Sequence, residues 1–366
     1  MQFKYFLPTK VFFGSNCIKE NAGVFNTLGQ KALIVTGKRS AKINGSQRDV
    51  EEALSASKID FAVYDNVLSN PTVENVMEGA DIARKENVDF VIGIGGGSPL
   101  DSAKAIALLA KNPLDSDDFF KNSFTNPVLP IAAVPTTAGT GSEVTPYSVI
   151  TDTKSQNKLN VSNEIIFPKA AFLDARYTEA LPKKATINTA IDALSHAVEG
   201  YLSNRASVSS DILAKESANL LGSSLKELTG ESISFELREK LLYASCLAGM
   251  VIAHTGCTVL HSMGYPLTFF KNVDHGRANG LLMYEYLKLI NIESEKRVNE
   301  IINSLGMKNI EELKALLDSL LNDKETVNED EIKLYTSIAI KAKNLSNTLK
   351  QFSCQEMDHI YRESLK

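Results

Sequence analysis

The five-residue run Phe90-Val91-Ile92-Gly93-Ile94, followed at once by Gly95, Gly96 and Gly97, constrains this chain more than any other segment. An uninterrupted apolar run of that length reads as a strand covered on both faces, the kind found inside a parallel sheet. The residues after it, Leu100–Leu109, carry helical spacing. Three glycines between strand and helix have no Cβ, so their backbone can approach a ligand closely and take up conformations other residues resist. The N–H groups of Gly96, Gly97 and Ser98 would then point over the positive end of the helix, where a pyrophosphate is favoured. Ser98 adds a hydroxyl, and Pro99 suits a first helical turn. The spacing is not GxGxxG, whose third glycine would fall on Ser98, and a glycine run also serves as a tight structural turn. The loop by itself leaves both readings open.

Its surroundings favour the first. Strand-like runs at Ala32–Thr36, Phe61–Tyr64 and Val128–Val134 alternate with helical ones at Val50–Ser57 and Val73–Lys85, the latter opened by Asn70-Pro71. Such alternation predicts a parallel sheet wrapped by helices. A second loop, Pro135–Glu143 (PTTAGTGSE), also follows a strand and offers four small hydroxyl side chains and two glycines. Two such loops at strand ends of one sheet suit an extended dinucleotide, which needs several donors along its length.

Short strand candidates continue to Ala170–Leu173. From Leu181-Pro182 onward the pattern is almost wholly helical, with 3.6-period segments at Thr186–Tyr201, Asp211–Leu228, Glu236–His254 and Glu331–Ala342. At 366 residues the chain exceeds one ordinary core. The expected organisation is therefore an α/β dinucleotide-binding domain over residues 1–182 and an all-α domain over 183–366.

A net charge of −5 gives no global pull toward nucleic acid. No run approaches the roughly 20 apolar residues that a membrane span needs, and the N-terminus meets Pro8 and Lys10 too early for a signal-peptide core. The four cysteines, Cys17, Cys246, Cys257 and Cys354, form no CxxC and read as reduced, mostly buried thiols. These features point to a cytoplasmic protein without a membrane or nucleic-acid partner.

Only five histidines are present. Asp192 and His196 are four apart and share one helix face. His261 follows the break at Gly256, and His275 opens another apparent helix. One carboxylate and three imidazoles can hold a divalent ion with a position left for substrate. Against this, a histidine on an apolar helix is more often a hydrogen-bonded core residue, and the spacing matches no short zinc motif. His254, without an acidic partner at i±4, reads as structural. His359, in a charged terminal helix, reads as solvated.

Taken in order, GGGSPLDSAK, PTTAGTGSEVTPYSVITD, FLDARYT, IDALSHAVEGYLS, ASCLAGMVIAHTG, LHSMGYPLTFFKNVDHG and ANG resemble the iron-containing (group III) alcohol dehydrogenases over residues 1–290. The nearest pattern is that of the 1,3-propanediol and butanol dehydrogenases. The resemblance implies the dehydroquinate synthase-like fold, a metal domain after the dinucleotide domain, and a small primary alcohol or aldehyde as substrate. It places the metal ligands on Asp192, His196, His261 and His275, with Fe²⁺ as the expected ion and Zn²⁺ as the alternative. It places cofactor contacts on Gly95, Gly96, Gly97, Ser98, Thr136, Thr137, Thr140 and Lys158, with Asn70 and Leu181 beside them. A homodimer or higher homo-oligomer is implied by the same kinship.

Two positions depart from that pattern. Many relatives carry a histidine where this chain has Tyr265, and a phenol titrates normally at about 10, so Tyr265 is no neutral-pH base. NAD-specific relatives often carry an acid at Gly37, which would bond the adenosine ribose and repel a 2′-phosphate. Gly37 leaves room, and Lys38, Arg39 and Ser40 can receive the added charge. This favours NADP(H) over NAD(H), although Lys38 and Arg39 also suit an ordinary solvated surface. The rivals are a dehydroquinate synthase-like lyase, a glycerol dehydrogenase-like zinc enzyme and a non-enzymatic scaffold. The lyase would need a crowd of cations. Here Leu260, Met263, Tyr265, Leu267, Phe269 and Phe270 surround the motifs, with only Lys271 and Arg277 near.

Overall fold

The computed structural model describes residues 3–121, 124–322 and 325–365. It divides into two compact units. One comprises residues 7–137 and 141–181; the other comprises residues 182–365, the N-terminal residues 3–6 and the short segment Ala138–Thr140.

The first unit is built on a parallel sheet of β1 (Lys10–Phe13), β2 (Lys31–Thr36), β3 (Asp60–Tyr64), β4 (Phe90–Gly95), β5 (Ile131–Pro135) and β8 (Ala170–Leu173). Its order is β1-β8-β5-β4-β2-β3. The alternating Cβ directions of β2 and β4 send Leu33, Val35 and Val91 into one core cluster and Ala32, Ile34, Ile92 and Ile94 into another. Both faces are covered, which is why Phe90–Ile94 is apolar throughout. The main helices are α1 (Ser46–Ala56), α2 (Val73–Lys85) and α3 (Gly97–Lys111). An antiparallel ribbon of β6 (Tyr147–Asp152) and β7 (Asn157–Ser162) completes the unit.

From β2 the chain moves outward to β3, then returns past β2 to β4. Strand order therefore reverses between β2 and β4, and the carboxyl ends flanking such a reversal form the usual ligand crevice of an open α/β sheet. Gly37 and Gly95 sit at those two ends, because Thr36 is in register with Ile94 and its Oγ1 donates to the Ile94 carbonyl at 2.9 Å.

The sequence missed β1, a short edge strand whose end residues Lys10 and Phe13 are exposed. It also began β5 too early. The strand starts at Ile131, after Pro130, whose carbonyl accepts from Val91 at 2.9 Å but which has no N–H to donate. Helix α1 starts at Ser46, ahead of the expected Val50, after the left-handed Gly45.

The second unit is helical: α4 (Lys183–Tyr201), α5 (Val208–Glu227), α6 (Phe235–Thr255), α7 (Val259–Lys271), α8 (His275–Ser304), α9 (Ile310–Leu321), α10 (Glu329–Ala339) and α11 (Cys354–Ser364). Helix α4 is central, buried at every residue from Ala190 to Tyr201 and packed on α5, α6 and α8. A Cβ on Gly200 would lie 2.2 Å from Val251, so glycine is what lets α4 and α6 approach. Among the described residues no single helix is long and apolar enough to cross a membrane.

Candidate metal centre and dinucleotide loops

Helix α4 places Asp192, His196 and Glu199 at i, i+4 and i+7, a single stripe along one face. All three are buried. The second contribution comes from α7, which carries His261, and the third from the first residue of α8, His275. His261 Nε2 lies 2.9 Å from His196 Nε2 and 3.8 Å from Asp192 Oδ1, and His275 Nε2 lies 3.9 Å from the same Oδ1. The four side chains singled out in the sequence thus converge on one point within the helical unit.

Each imidazole has a role for its other nitrogen. His196 Nδ1 donates to the Gly139 carbonyl at 3.3 Å. His261 Nδ1 donates to the Glu199 carboxylate, and His275 Nδ1 lies 3.5 Å from Thr268 Oγ1. This fixes the tautomers so that the Nε2 atoms of His196 and His261 face the centre, the arrangement that orients metal-ligating histidines. Asn279, one turn beyond His275, sets its Nδ2 3.4 Å from Asp192 Oδ1 and 3.3 Å from His261 Nε2, while its buried Oδ1 has no partner among the described residues. A carboxylate and three imidazoles, two of them held in a fixed tautomer, fit a divalent cation.

Burial opposes a charge on His261, yet Cys257 and Glu199 beside it hold its pKa well above the ordinary value. The same contact works in reverse on Glu199: burial raises its carboxyl, and His261 outweighs that and lowers it. Tyr265 stacks on His275 with ring centroids 5.1 Å apart and meets His261 edge-on. Of the expected apolar lining, Leu260, Met263 and Leu267 are fully buried core residues, leaving Tyr265, Phe269 and Phe270 partly exposed. Lys271 and Arg277 are occupied: Lys271 pairs with Glu331 at 2.7 Å, and Arg277 bonds Glu325 and the Leu321 carbonyl.

Sequence reasoning passed over Glu199, Asn279 and Cys257. Helical spacing from Asp192 and His196 was a usable signal for the first, and spacing from His275 for the second. Cys257 lies in the joint between two helices, where periodicity carries no information. His254 lies apart, accepting from the Phe6 N–H at 3.0 Å and stacking on Tyr5. The side chain of His359 is half exposed and 3.9 Å from Glu285.

In the sheet unit, α3 begins at Gly97 with Gly96 as its N-cap, so the first free N–H groups of the helix belong to the glycine loop. Gly95 has φ +150° and packs on Pro99; a Cβ there would lie 2.5 Å from Pro99 Cγ. Gly93 lets strand and helix close up, since its Cβ would meet Ala103 at 2.8 Å. The second loop is tied to the first: Thr136 N donates to the Gly95 carbonyl at 2.9 Å, and a Cβ on Gly96 would touch Thr137 at 3.1 Å. Ser98 Oγ donates to the Ser69 carbonyl, next to Asn70. Lys158 is in register with Thr151, whose N–H donates to the Pro71 carbonyl at 2.8 Å. Gly37, Asn70, Gly95–Ser98, Thr136, Thr137 and Lys158 therefore belong to one connected edge. Ser40 opens the one-turn helix Ser40–Ile43 beside Gly37, Leu181 ends the unit after the turn Ala175–Thr178, and Thr140 goes with the helical residues.

Buried polar groups hold this edge in place. Asp101 accepts from Ser142 Oγ at 2.5 Å and Val149 N at 2.9 Å. Lys104 donates to Ser142 Oγ at 2.8 Å and the Tyr147 carbonyl at 2.7 Å. Burial pushes the Lys104 amine down to about 8, against the pull of Asp101 and Glu143.

Residues 8–175 match the model of the iron-containing alcohol dehydrogenases, and residues 186–365 match the C-terminal model of the Fe-containing alcohol dehydrogenase family. The chain belongs to the iron-containing alcohol dehydrogenases. Like other members it is an alcohol dehydrogenase oxidoreductase. It is 31% identical over 361 residues to the NADPH-dependent butanol dehydrogenase of Clostridium saccharobutylicum, covering 97% of this chain and 88% of that one. It is also 31% identical over 303 residues to the NAD-dependent methanol dehydrogenase of Bacillus methanolicus, covering 82% and 80%. A solved iron-containing alcohol dehydrogenase from Thermotoga maritima superposes with a TM-score of 0.93 at 40% identity, covering 100% of this chain and 99% of that one. The sheet and helical units thus have the architecture of this family.

Proposed function

We propose that this iron-containing alcohol dehydrogenase interconverts short primary alcohols and aldehydes with NADP(H), using Fe²⁺ held by Asp192, His196, His261 and His275. The observation that carries the reading is the convergence of these four donors, with the remaining nitrogens of His196 and His261 already engaged. A cation so held supplies Lewis-acid activation of the substrate oxygen, and the nicotinamide supplies the two-electron hydride carrier.

The chain's own residues complete the chemistry. One carboxylate against a dipositive ion leaves the site net positive, so an anionic oxygen is favoured there over a neutral one. Tyr265, stacked on His275, provides a flat apolar wall and no base at neutral pH. The proton would then pass to solvent or to a hydroxyl of the bound cofactor. Lys271 and Arg277 are engaged with Glu331 and Glu325, so neither of these two cations near the centre is placed to grip a phosphorylated substrate, as a lyase of that kind would need.

NADP(H) is favoured by the end of β2. Among the described residues Gly37 has only the Val67 carbonyl near its missing Cβ, at 3.7 Å, and Lys38, Arg39 and Ser40 are exposed beside it. The relatives include both coenzyme types, so the preference for NADP(H) proposed here rests on these residues. The test is anaerobic purification with metal analysis, followed by absorbance assays of both coenzymes with butanal and related aldehydes. Absence of any net coenzyme oxidation with metal-loaded protein would sink the reading. A homodimer or higher homo-oligomer in the cytoplasm is part of the proposal, and light scattering on the purified chain tests the assembly.

A further inference from the structure

Cys257 occupies the joint between α6 and α7, and its thiol stands among the imidazoles. Its Sγ and a ring nitrogen from each of His196 and His261 all lie within 4.8 Å of one another. Asp192, His261 and His275 meet at the same spacing. His261 belongs to both groups, and His196 Nε2 lies 2.9 Å from it.

The cysteine is held in place by its neighbours. Gly256 ends α6 with φ +66°, a conformation suited to glycine, and a Cβ there would lie 2.6 Å from Asn347 Nδ2. That amide donates to the Cys257 carbonyl at 3.0 Å. On the other side, Thr258 donates from N at 2.9 Å and from Oγ1 at 2.6 Å to the Glu199 carboxylate, which also accepts from His261. One flank of Cys257 is thus tied to the carboxylate that orients His261, and the other to the Asn347 amide.

We propose that the centre holds two overlapping seats for a cation. One is the oxygen–nitrogen seat of Asp192, His196, His261 and His275; the other is a sulfur–nitrogen seat of His196, Cys257 and His261. A thiophilic ion such as Zn²⁺ takes the second, with Cys257 as a thiolate ligand, while Fe²⁺ takes the first. Each seat offers one anionic donor, so net charge does not choose between them; donor softness does. Two imidazoles and a thiolate leave Zn²⁺ one open position, a normal three-ligand zinc set. Binding forms the S–Zn bond and releases the thiol proton to solvent. Metal identity therefore decides whether the ion is held by Asp192 and His275 or by Cys257. The inference rests on the ligand reading above and extends it to a residue outside that set.

X-ray absorption at the metal edge of the full chain, loaded anaerobically with one equivalent of Zn²⁺ or Fe²⁺, tests this. Zinc-loaded wild type should show a sulfur neighbour at about 2.3 Å. Cys257→Ser should not, and iron-loaded protein should show only nitrogen and oxygen. Co²⁺ gives a second readout: a thiolate-to-cobalt charge-transfer band in the near ultraviolet, lost in Cys257→Ser and Cys257→Ala while the ligand-field bands persist. Circular dichroism checks that both variants are folded. Zinc surrounded only by nitrogen and oxygen in wild type overturns the sulfur seat and leaves the ligand reading standing. Failure of the wild type to retain any of the three ions overturns both.

Discussion

His261 presents a single ring nitrogen to the centre because Glu199, two turns along α4 from Asp192, takes the other. The same carboxylate accepts from both donors of Thr258 and from the His261 backbone N–H at 3.2 Å. One buried acid therefore sets the entry of α7 and the orientation of the imidazole it carries. Replacing Glu199 with alanine should weaken metal affinity by about 10- to 100-fold, the usual cost of losing a group that orients a ligand. Chelator competition measures it; unchanged affinity in a folded variant would show that Glu199 only packs.

His275→Ala separates metal chemistry from coenzyme binding. The glycine loop and its threonine partners belong to a unit that folds around its own two core clusters. The variant should lose turnover while NADPH still binds, as read by coenzyme fluorescence. Substantial residual turnover would remove His275 from the ligand set.

At Gly95 two penalties coincide, a φ of +150° and a Cβ 2.5 Å from Pro99. Gly95→Ala should cost about 1–3 kcal/mol of stability through backbone strain and overpacking. It should also weaken coenzyme affinity, because the loop that carries the helix N–H groups must shift. A variant with wild-type stability and affinity would refute the loop's assigned role.

Gly37→Asp is sterically mild, with nothing among the described residues closer to its Cβ than the Val67 carbonyl at 3.7 Å. The introduced charge should lower affinity for NADPH by about tenfold or more, since about 1.4 kcal/mol of repulsion suffices for that, and should spare NADH. Equal loss for both coenzymes would locate the 2′-phosphate elsewhere.

Lys104 gives the fold a predictable alkaline signature. Burial lowers its amine to about 8 from an ordinary 10.5, so between those values the unfolded chain binds more protons than the native one. Stability from this group therefore rises as pH climbs from about 8, and below that its full penalty is present. Denaturant unfolding of wild type and Lys104→Met, kept below about pH 10 where unfolded tyrosines begin to ionise, should show wild type gaining stability relative to the variant as pH rises through this window. A pH-independent difference would contradict the assignment.

Much of this was legible in local spacing. Val73–Lys85 and Ala170–Leu173 lie where their patterns put them, because a covered strand and an amphipathic helix write their periods directly into the chain. The edge strand β1 was not legible, since four residues with exposed ends carry too little alternation. Asp192 and His196 could be paired on one face from spacing alone, but bringing them to His261 and His275 took the family resemblance.

The sequence by itself determined the strand–glycine–helix unit, the helical second half and the residue types able to hold a cation, because those depend on neighbours within a few positions. The tertiary structure decided what each of those residues touches. It gave His196 the carbonyl of Gly139, 57 residues away, gave His261 the carboxylate of Glu199, 62 residues away, and set His254 against Tyr5 and Phe6 rather than at the centre. It also brought the Cys257 thiol to the same imidazoles. Such partners are chosen by how helices pack, and a buried polar group accepts only the donor that packing delivers to it.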